Sequence, residues 1–255
     1  LQSFLIGYSG KFDELYQLLK SKGFTEEEIL ASSLVNKTEN GKFIDRFRNR
    51  IMFPIQDIQG RVIAFGGRVT DDSKPKYINS PENIVYSKGR HLFGLNVAKK
   101  GDTKKLIIVE GYMDAISLYQ RGITNVVASL GTALTEKQGW LLRKSCEQVI
   151  IGYDSDGAGQ AATMRGLEIL QNMGCDMRIL QIYGAKDPDE FVRKYGPERF
   201  LKCVDNSISL VEFKVKNLKQ DLNLENTNDK IKFLNQIARI LAKVDNNIEK
   251  EIYID

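Results

Sequence analysis

The spacing of apolar positions changes character twice along the chain. Over residues 1–103, short helical stretches alternate with runs that read as strands. Glu26 to Leu34 has helical spacing behind Thr25, a residue type that caps helix N-termini. Arg50 to Gln56 and Arg61 to Arg68 read as β-strands, and Asp57-Ile58-Gln59-Gly60 between them reads as a hairpin turn. This region is predicted to be a mixed α+β subdomain.

Over residues 104–198 the apolar runs Leu106 to Val109, Val126 to Ser129, Val149 to Tyr153 and Met177 to Ile182 are each separated by a helical stretch. Such alternation specifies an α/β subdomain, a parallel sheet with helices on both faces. Over residues 199–255 the strands cease. There Ile231, Leu234, Ile237, Leu241 and Val244 recur at helical spacing, predicting a helical subdomain whose apolar face closes the chain's own core. Trp140, within Trp140-Leu141-Leu142, is predicted to lie in the core.

Composition narrows the class without naming a function. The 255 residues are 42% apolar, enough to bury a sizeable core. No apolar run approaches the roughly 18 residues that span a bilayer, and Leu1-Gln2-Ser3-Phe4 lacks the layout of a secretion signal. A cytoplasmic protein is expected. The start without methionine, inside a structured segment, predicts a fragment of a longer protein. Cys146, Cys175 and Cys203 lack the spacing of a zinc site and read as buried or incidental thiols, so no zinc is expected. A net charge of +4 permits nucleic-acid binding without requiring it. His91 is the only histidine, which excludes mechanisms that need two; a surface or half-buried structural role is expected for it.

Chemistry concentrates where a parallel sheet places its functional crevice, just beyond the carboxyl ends of the strands. The first apolar run is followed by Glu110 and, one helical turn on, Asp114; the third by Asp154 and Asp156; the fourth by Asp187, Asp189 and Glu190. Acids gathered at one sheet edge repel one another, and divalent cations offset that cost. Magnesium suits such hard oxygen ligands, and a pair of ions can stabilise both oxygens of an in-line phosphoryl displacement. The competing reading makes each acid a helix cap. Capping explains one acid per helix start but leaves Asp156 and Asp189 without a role.

Cations cluster in the first region, at Arg46-Phe47-Arg48-Asn49-Arg50, Gly66-Gly67-Arg68, Lys74-Pro75-Lys76-Tyr77 and Lys88-Gly89-Arg90. Interleaved with aromatics, they suit phosphate contacts and base stacking; singly, each reads first as surface charge. Gly66-Gly67 reads as a close approach to a ligand or as a bulge.

The runs Ile107-Ile108-Val109-Glu110-Gly111-Tyr112-Met113-Asp114, Ser129-Leu130-Gly131-Thr132, Tyr153-Asp154-Ser155-Asp156-Gly157-Ala158-Gly159 and Lys186-Asp187-Pro188-Asp189-Glu190 resemble the Toprim signature as it occurs in bacterial DnaG-type primases. Ser155 stands where many relatives have glycine. Arg50 to Ile55, Gly60 to Arg68, Pro75 to Glu82 and Lys88 to Leu95 resemble the other half of the primase core, in the same order. The resemblance implies a central Toprim-like parallel sheet and a DNA-dependent RNA polymerase that makes short RNA primers for replication on single-stranded DNA. It implies Mg2+ or Mn2+, with two or more ions, on Glu110, Asp154, Asp156, Asp187 and Asp189, the first three being catalytic and Asp114 a supporting acid. Arg48, Arg50, Arg68, Lys76 and Lys88 would bind nucleotide or template, and Asn79 belongs to the same block. Implied partners are template, ribonucleoside triphosphates and primer. The family's zinc-binding domain and helicase-binding domain, and through them the replicative helicase, are expected to lie outside this sequence.

Other classes remain open from sequence. A Toprim nuclease or topoisomerase-like strand cleaver shares the acids but not the basic half. A haloacid-dehalogenase phosphatase also uses a strand-terminal pair of aspartates, but its Thr or Val two residues after the second is Ala158 here. A non-catalytic single-stranded DNA-binding module would leave the carboxylates structural.

Overall fold

The computed structural model describes residues 2–131, 134–153, 157–244 and 247–254; Thr132, Asp154, Ser155 and Asp156 fall outside them. The first region holds β1 (Gly7–Tyr8), α1 (Glu14–Ser21), α2 (Glu26–Ala31), β2 (Val35–Lys37), β3 (Phe43–Asp45), β4 (Arg50–Gln56), β5 (Val62–Val69), β6 (Tyr77–Asn79) and α3 (Leu95–Ala98). Next come β7 (Lys105–Val109), α4 (Tyr112–Gln120), β8 (Val126–Ala128), α5 (Glu136–Ser145), β9 (Gln148–Ile151), α6 (Gly157–Asn172), β10 (Asp176–Ile179) and α7 (Pro188–Tyr195). The last region is helical, with α8 (Pro197–Asp205), α9 (Leu210–Asp221), α10 (Thr227–Leu241) and α11 (Asn247–Ile254).

The β4–β5 hairpin forms where the sequence places it. Gly60 N–H donates to Asp57 O (3.0 Å), Gly60 takes φ +85°, and the Asp57 carboxylate accepts from Gln59 N, Arg61 N and Arg61 Nε at 2.7–3.0 Å. Thr25 caps α2 through a reciprocal pair of bonds with Glu28. That helix stops at Ala31 rather than Leu34, because Ser33 turns left-handed (φ +60°) and the Ser32 hydroxyl accepts from Leu34 N–H.

β1, β4, β5 and β6 form an antiparallel sheet in the order β1-β4-β5-β6. The second sheet runs β10-β9-β7-β8 with every pair parallel. β7 is central, and Leu106, Ile107, Ile108 and Val109 are all 0% exposed, as expected of a strand covered on both faces. The chain leaves β7 to one side for β8 and returns on the other side as β9, so the switch point lies between the carboxyl ends of β7 and β9.

One core crosses the boundary between the first two regions. Phe4, Phe53, Ile55 and Phe93 pack in the same buried cluster as Val109, Tyr112, Ile116 and Phe191. Phe93 and Ala128 exchange backbone hydrogen bonds (2.9 and 3.0 Å), attaching the first region to the edge of the parallel sheet. The wholly buried Gln138 on α5 adds two more, from Nε2 to Lys88 O (3.0 Å) and His91 O (2.9 Å).

Several sequence readings are corrected. Trp140 is on the outer face of α5, 51% exposed, with the Arg143 guanidinium 5.5 Å from its ring. On α10 the buried residues are Phe233 and Leu241, while Ile231 and Leu234 are more than half exposed, so the apolar face closes the core only in part. Gly66 and Gly67 lie in regular register between β4 and β6, at neither a bulge nor an opening to a ligand. Their missing side chains make room for rings. A Cβ on Gly66 would stand 3.0 Å from Tyr112, and one on Gly67 2.7 Å from Phe47. The three cysteines are half-buried, and burial pushes the Cys146 thiol up to about 11. Among the described residues no helix is long and apolar enough to cross a membrane.

Gly67→Ala should destabilise the protein by roughly 1–3 kcal/mol, the usual cost of overpacking, because Phe47 must move. A urea midpoint indistinguishable from that of the unsubstituted protein would contradict this packing.

Candidate functional site: an acidic cavity beside a basic sheet

A cavity of about 630 Å³ opens at the carboxyl end of β7, between the two sheets. Glu110, Asp114, Asp187 and Asp189 line it from the parallel-sheet side, and Arg68, Lys76, Tyr77 and Asn79 from β5, β6 and the loop between them. Of the residues singled out in the sequence, these acids, Arg68, Lys76 and Asn79 are brought together. Asp154 and Asp156 lie outside the described residues. Their neighbour Tyr153 is described: burial pushes its phenol up to about 12, and the Glu110 carboxylate adds to the rise. Glu110 therefore stands within electrostatic reach of the segment that leads into Asp154.

Two of the acids do cap helices. Asp114 accepts from Gly111 N–H (3.2 Å) in the first turn of α4, and Asp187 is the N-cap of α7, accepting from Glu190 N–H (2.7 Å). Asp189 has a different setting. Its Oδ1 accepts from the Ser117 hydroxyl, itself held by Arg121 Nη1 (2.9 Å), and its Oδ2 pairs with Arg193 Nη2 at 3.1 Å. Lys186 Nζ lies 3.9 Å from Asp187 Oδ2. Sequence reasoning gave no role to Ser117, Arg121, Lys186 or Arg193. The four-residue spacing of Asp189 and Arg193 was the available signal, since acid and base at that interval pair on a helix.

The cations divide. Arg68 lies over Tyr77, 5.7 Å from guanidinium carbon to ring centroid, and its Nε is buried with no hydrogen-bond partner among the described residues. Asn79 donates from Nδ2 to Leu130 O (3.4 Å), and its buried Oδ1 makes no hydrogen bond among the described residues. Leu130 and Gly131 both take positive φ, so Asn79 steadies a strained cavity loop. Arg50, in contrast, is 7% exposed and donates to Pro75 O (3.0 Å), Lys76 O (3.3 Å) and Gly67 O (3.5 Å). Burial holds its guanidinium below the usual value, and the nearby charge of Arg48 adds to this. Arg50 thus ties the Pro75–Lys76 segment to the hairpin and does not line the cavity. Neither do Arg48, exposed and bonded to Asp45 O, and Lys88, whose backbone is held by Glu82 and Gln138. His91 stacks on Tyr86 at 5.9 Å and faces a separate cavity with Arg61 and Arg90.

The donor set suits a hard divalent cation, being carboxylate oxygens. Among the described residues, however, no three acids approach closely enough to hold one ion.

Sheet order, strand-end acids and the adjoining antiparallel sheet define a Toprim-like catalytic core with a second α+β half. Family models agree: residues 1–99 match the DNA primase catalytic core, N-terminal domain, and residues 107–192 match Toprim-like proteins. A solved structure of a DnaG primase catalytic domain bound to single-stranded DNA superposes with a TM-score of 0.85 at 34% identity, over 99% of this chain and 83% of that one. The Escherichia coli primase catalytic core gives 0.84 at 35% identity, over 99% and 82%. The chain belongs to the DnaG-type primase catalytic cores. It is 48% identical to a DNA primase of Clostridium acetobutylicum over all of its own length and 43% of that protein's. Residues 211–255 match the DnaB-helicase binding domain of primase. That overturns the expectation that this chain contains no helicase-binding part; α9 to α11 carried no polar motif by which to read it.

Two arginines of one hairpin should behave oppositely. Arg50→Ala should cost about 1–3 kcal/mol by removing a buried side chain together with its bonds to the Pro75, Lys76 and Gly67 carbonyls. Arg68→Ala, which removes no carbonyl tie of the Arg50 kind, should cost less than about 1 kcal/mol, yet weaken pyrophosphate binding. Urea denaturation and calorimetric titration on both variants check this; equal stability losses would refute the division.

Proposed function

We propose that this chain polymerises ribonucleotides into short primers on single-stranded DNA, as a metal-dependent nucleotidyltransferase. The observation that carries the reading is the single cavity in which Glu110, Asp114, Asp187 and Asp189 meet Arg68, Lys76 and Tyr77. A strand-cleaving Toprim enzyme would share the acids but lack the basic wall; that wall of cations and an aromatic from the antiparallel sheet suits a triphosphate and a base.

In this reading Glu110, Asp154, Asp156, Asp187 and Asp189 hold Mg2+ or Mn2+, in two or more sites, with Asp114 supporting Glu110 through the Gly111 turn. Bound metal would lower the pKa of the attacking 3′ hydroxyl and neutralise charge developing on the α-phosphate. Arg68 and Lys76 bind the triphosphate, and the Arg68 guanidinium, held on Tyr77, presents its fork without reorganising. Asn79 holds the 130–131 loop at the cavity edge. The hydroxyl attacks the α-phosphate, a new phosphodiester bond forms, and pyrophosphate leaves toward the cations. The hydroxyl proton passes to water in this reading.

The ssDNA-bound relative supports single-stranded template as a partner, and the match of residues 211–255 supports the replicative helicase as another. A zinc-binding domain elsewhere in the full-length protein would complete template selection. Such an enzyme works in the cytoplasm.

Labelled ribonucleotide incorporation on a single-stranded template tests the proposal. Wild type should require Mg2+ or Mn2+, and Glu110→Gln or Asp154→Asn should lower the rate by roughly 100-fold or more, the scale of losing transition-state charge stabilisation. Equal incorporation by all three proteins, or incorporation indifferent to metal, would sink it.

A further inference from the structure

The two oxygens of Asp189 have partners of different kinds. Ser117, which donates to Oδ1, is 8% exposed and is locked from behind by Arg121, the C-cap of its own helix α4. Arg193, on Oδ2, has a side chain 57% exposed and lies one helical turn along α7, lining the acid cavity. A buried hydroxyl held by a second residue is a fixed partner. A half-exposed guanidinium at a cavity edge is an exchangeable one.

A divalent cation and a guanidinium compete for one carboxylate, since each raises the cost of bringing the other near. We propose that Arg193 is a displaceable counter-cation of the acid site. It neutralises Asp189 while no divalent ion is bound, is released when one binds, and then serves as a phosphate-binding side chain. The proposal rests on the reading of this cavity as a metal and nucleotide site. Ser117 keeps Asp189 oriented through the exchange, so the carboxylate needs no repositioning when Arg193 leaves. Once free, Arg193 adds a planar, two-pronged donor on the α7 side of a cavity whose other cations, Arg68 and Lys76, come from the antiparallel sheet. Metal binding and triphosphate capture are thereby coupled through one side chain. The plainer alternative, a helix surface pair at four-residue spacing, couples nothing.

The test measures Mn2+ binding to the full chain by electron paramagnetic resonance of the free ion, and ribonucleoside triphosphate affinity at saturating Mn2+. Wild type, Arg193→Gln and Arg193→Lys are compared after confirming equal thermal midpoints. Arg193→Gln should bind Mn2+ roughly three- to tenfold more tightly, the effect of removing one screened positive charge beside a dication. It should bind the triphosphate roughly tenfold more weakly, having lost a charge-assisted bidentate donor. Arg193→Lys should restore wild-type Mn2+ affinity but only part of the triphosphate affinity. Mn2+ affinity in Arg193→Gln equal to or weaker than wild type, or unchanged triphosphate affinity, would overturn the proposal while leaving the site reading intact. Absence of Mn2+ binding in wild type would overturn both.

Discussion

The ring of Tyr112 lies so close to the backbone of Gly66 that a Cβ there would stand only 3.0 Å from it, and this contact brings two halves of the chain to one cavity. Tyr112 is 5% exposed and stands between Glu110 and Asp114 in sequence. Its ring packs on Phe53 (4.5 Å), Phe93 (5.7 Å) and Tyr77 (5.7 Å), so one side chain from the parallel sheet's first crossover grips the antiparallel sheet. Burial raises its phenol well above the usual range, and its hydroxyl has no hydrogen-bond partner among the described residues. Packing area, not polarity, makes the contact. Through it Arg68, two residues beyond Gly66, faces acids carried by a different sheet.

Charge is arranged around that contact with little left unbalanced. Asp187 and Asp189 have Lys186 and Arg193 beside them, and Asp114 is tied to backbone N–H. Such pairs let acids accumulate at a strand edge without collapsing the fold. Because the cations are exposed and the backbone donors fixed, the arrangement yields to a competing ion without losing its geometry. Arg50 belongs to the opposite category, a cation whose buried guanidinium holds three carbonyls and is not available for exchange.

Much of this was legible beforehand, because it depends on period and on strand ends. The parallel sheet follows from apolar runs alternating with helices, and the hairpin from Asp57 and Gly60; the place of Glu110 in the crevice, just past β7, follows from sheet topology. The failures share one cause, dependence on partners distant in sequence. Nothing local distinguishes Arg50 from Arg68; only the fold buries one under the Pro75–Lys76 segment and sets the other on Tyr77. Gly66 and Gly67 read as ligand or bulge glycines because the rings that crowd a Cβ come from Tyr112 and Phe47. Ser117 reaches Asp189 across 72 positions, a spacing without any pattern. Trp140 resembled core because its neighbours Leu141 and Leu142 are apolar, yet the helix turns it outward.

The central claim is that acids of one sheet and cations of the other form one metal and nucleotide site. Calorimetric titration of a non-hydrolysable ribonucleoside triphosphate, with and without Mn2+, addresses it directly. Binding should appear only with Mn2+ and should be lost both in Glu110→Gln and in Arg68→Ala. Binding that is independent of the metal, or that survives either substitution at full affinity, would contradict a shared site.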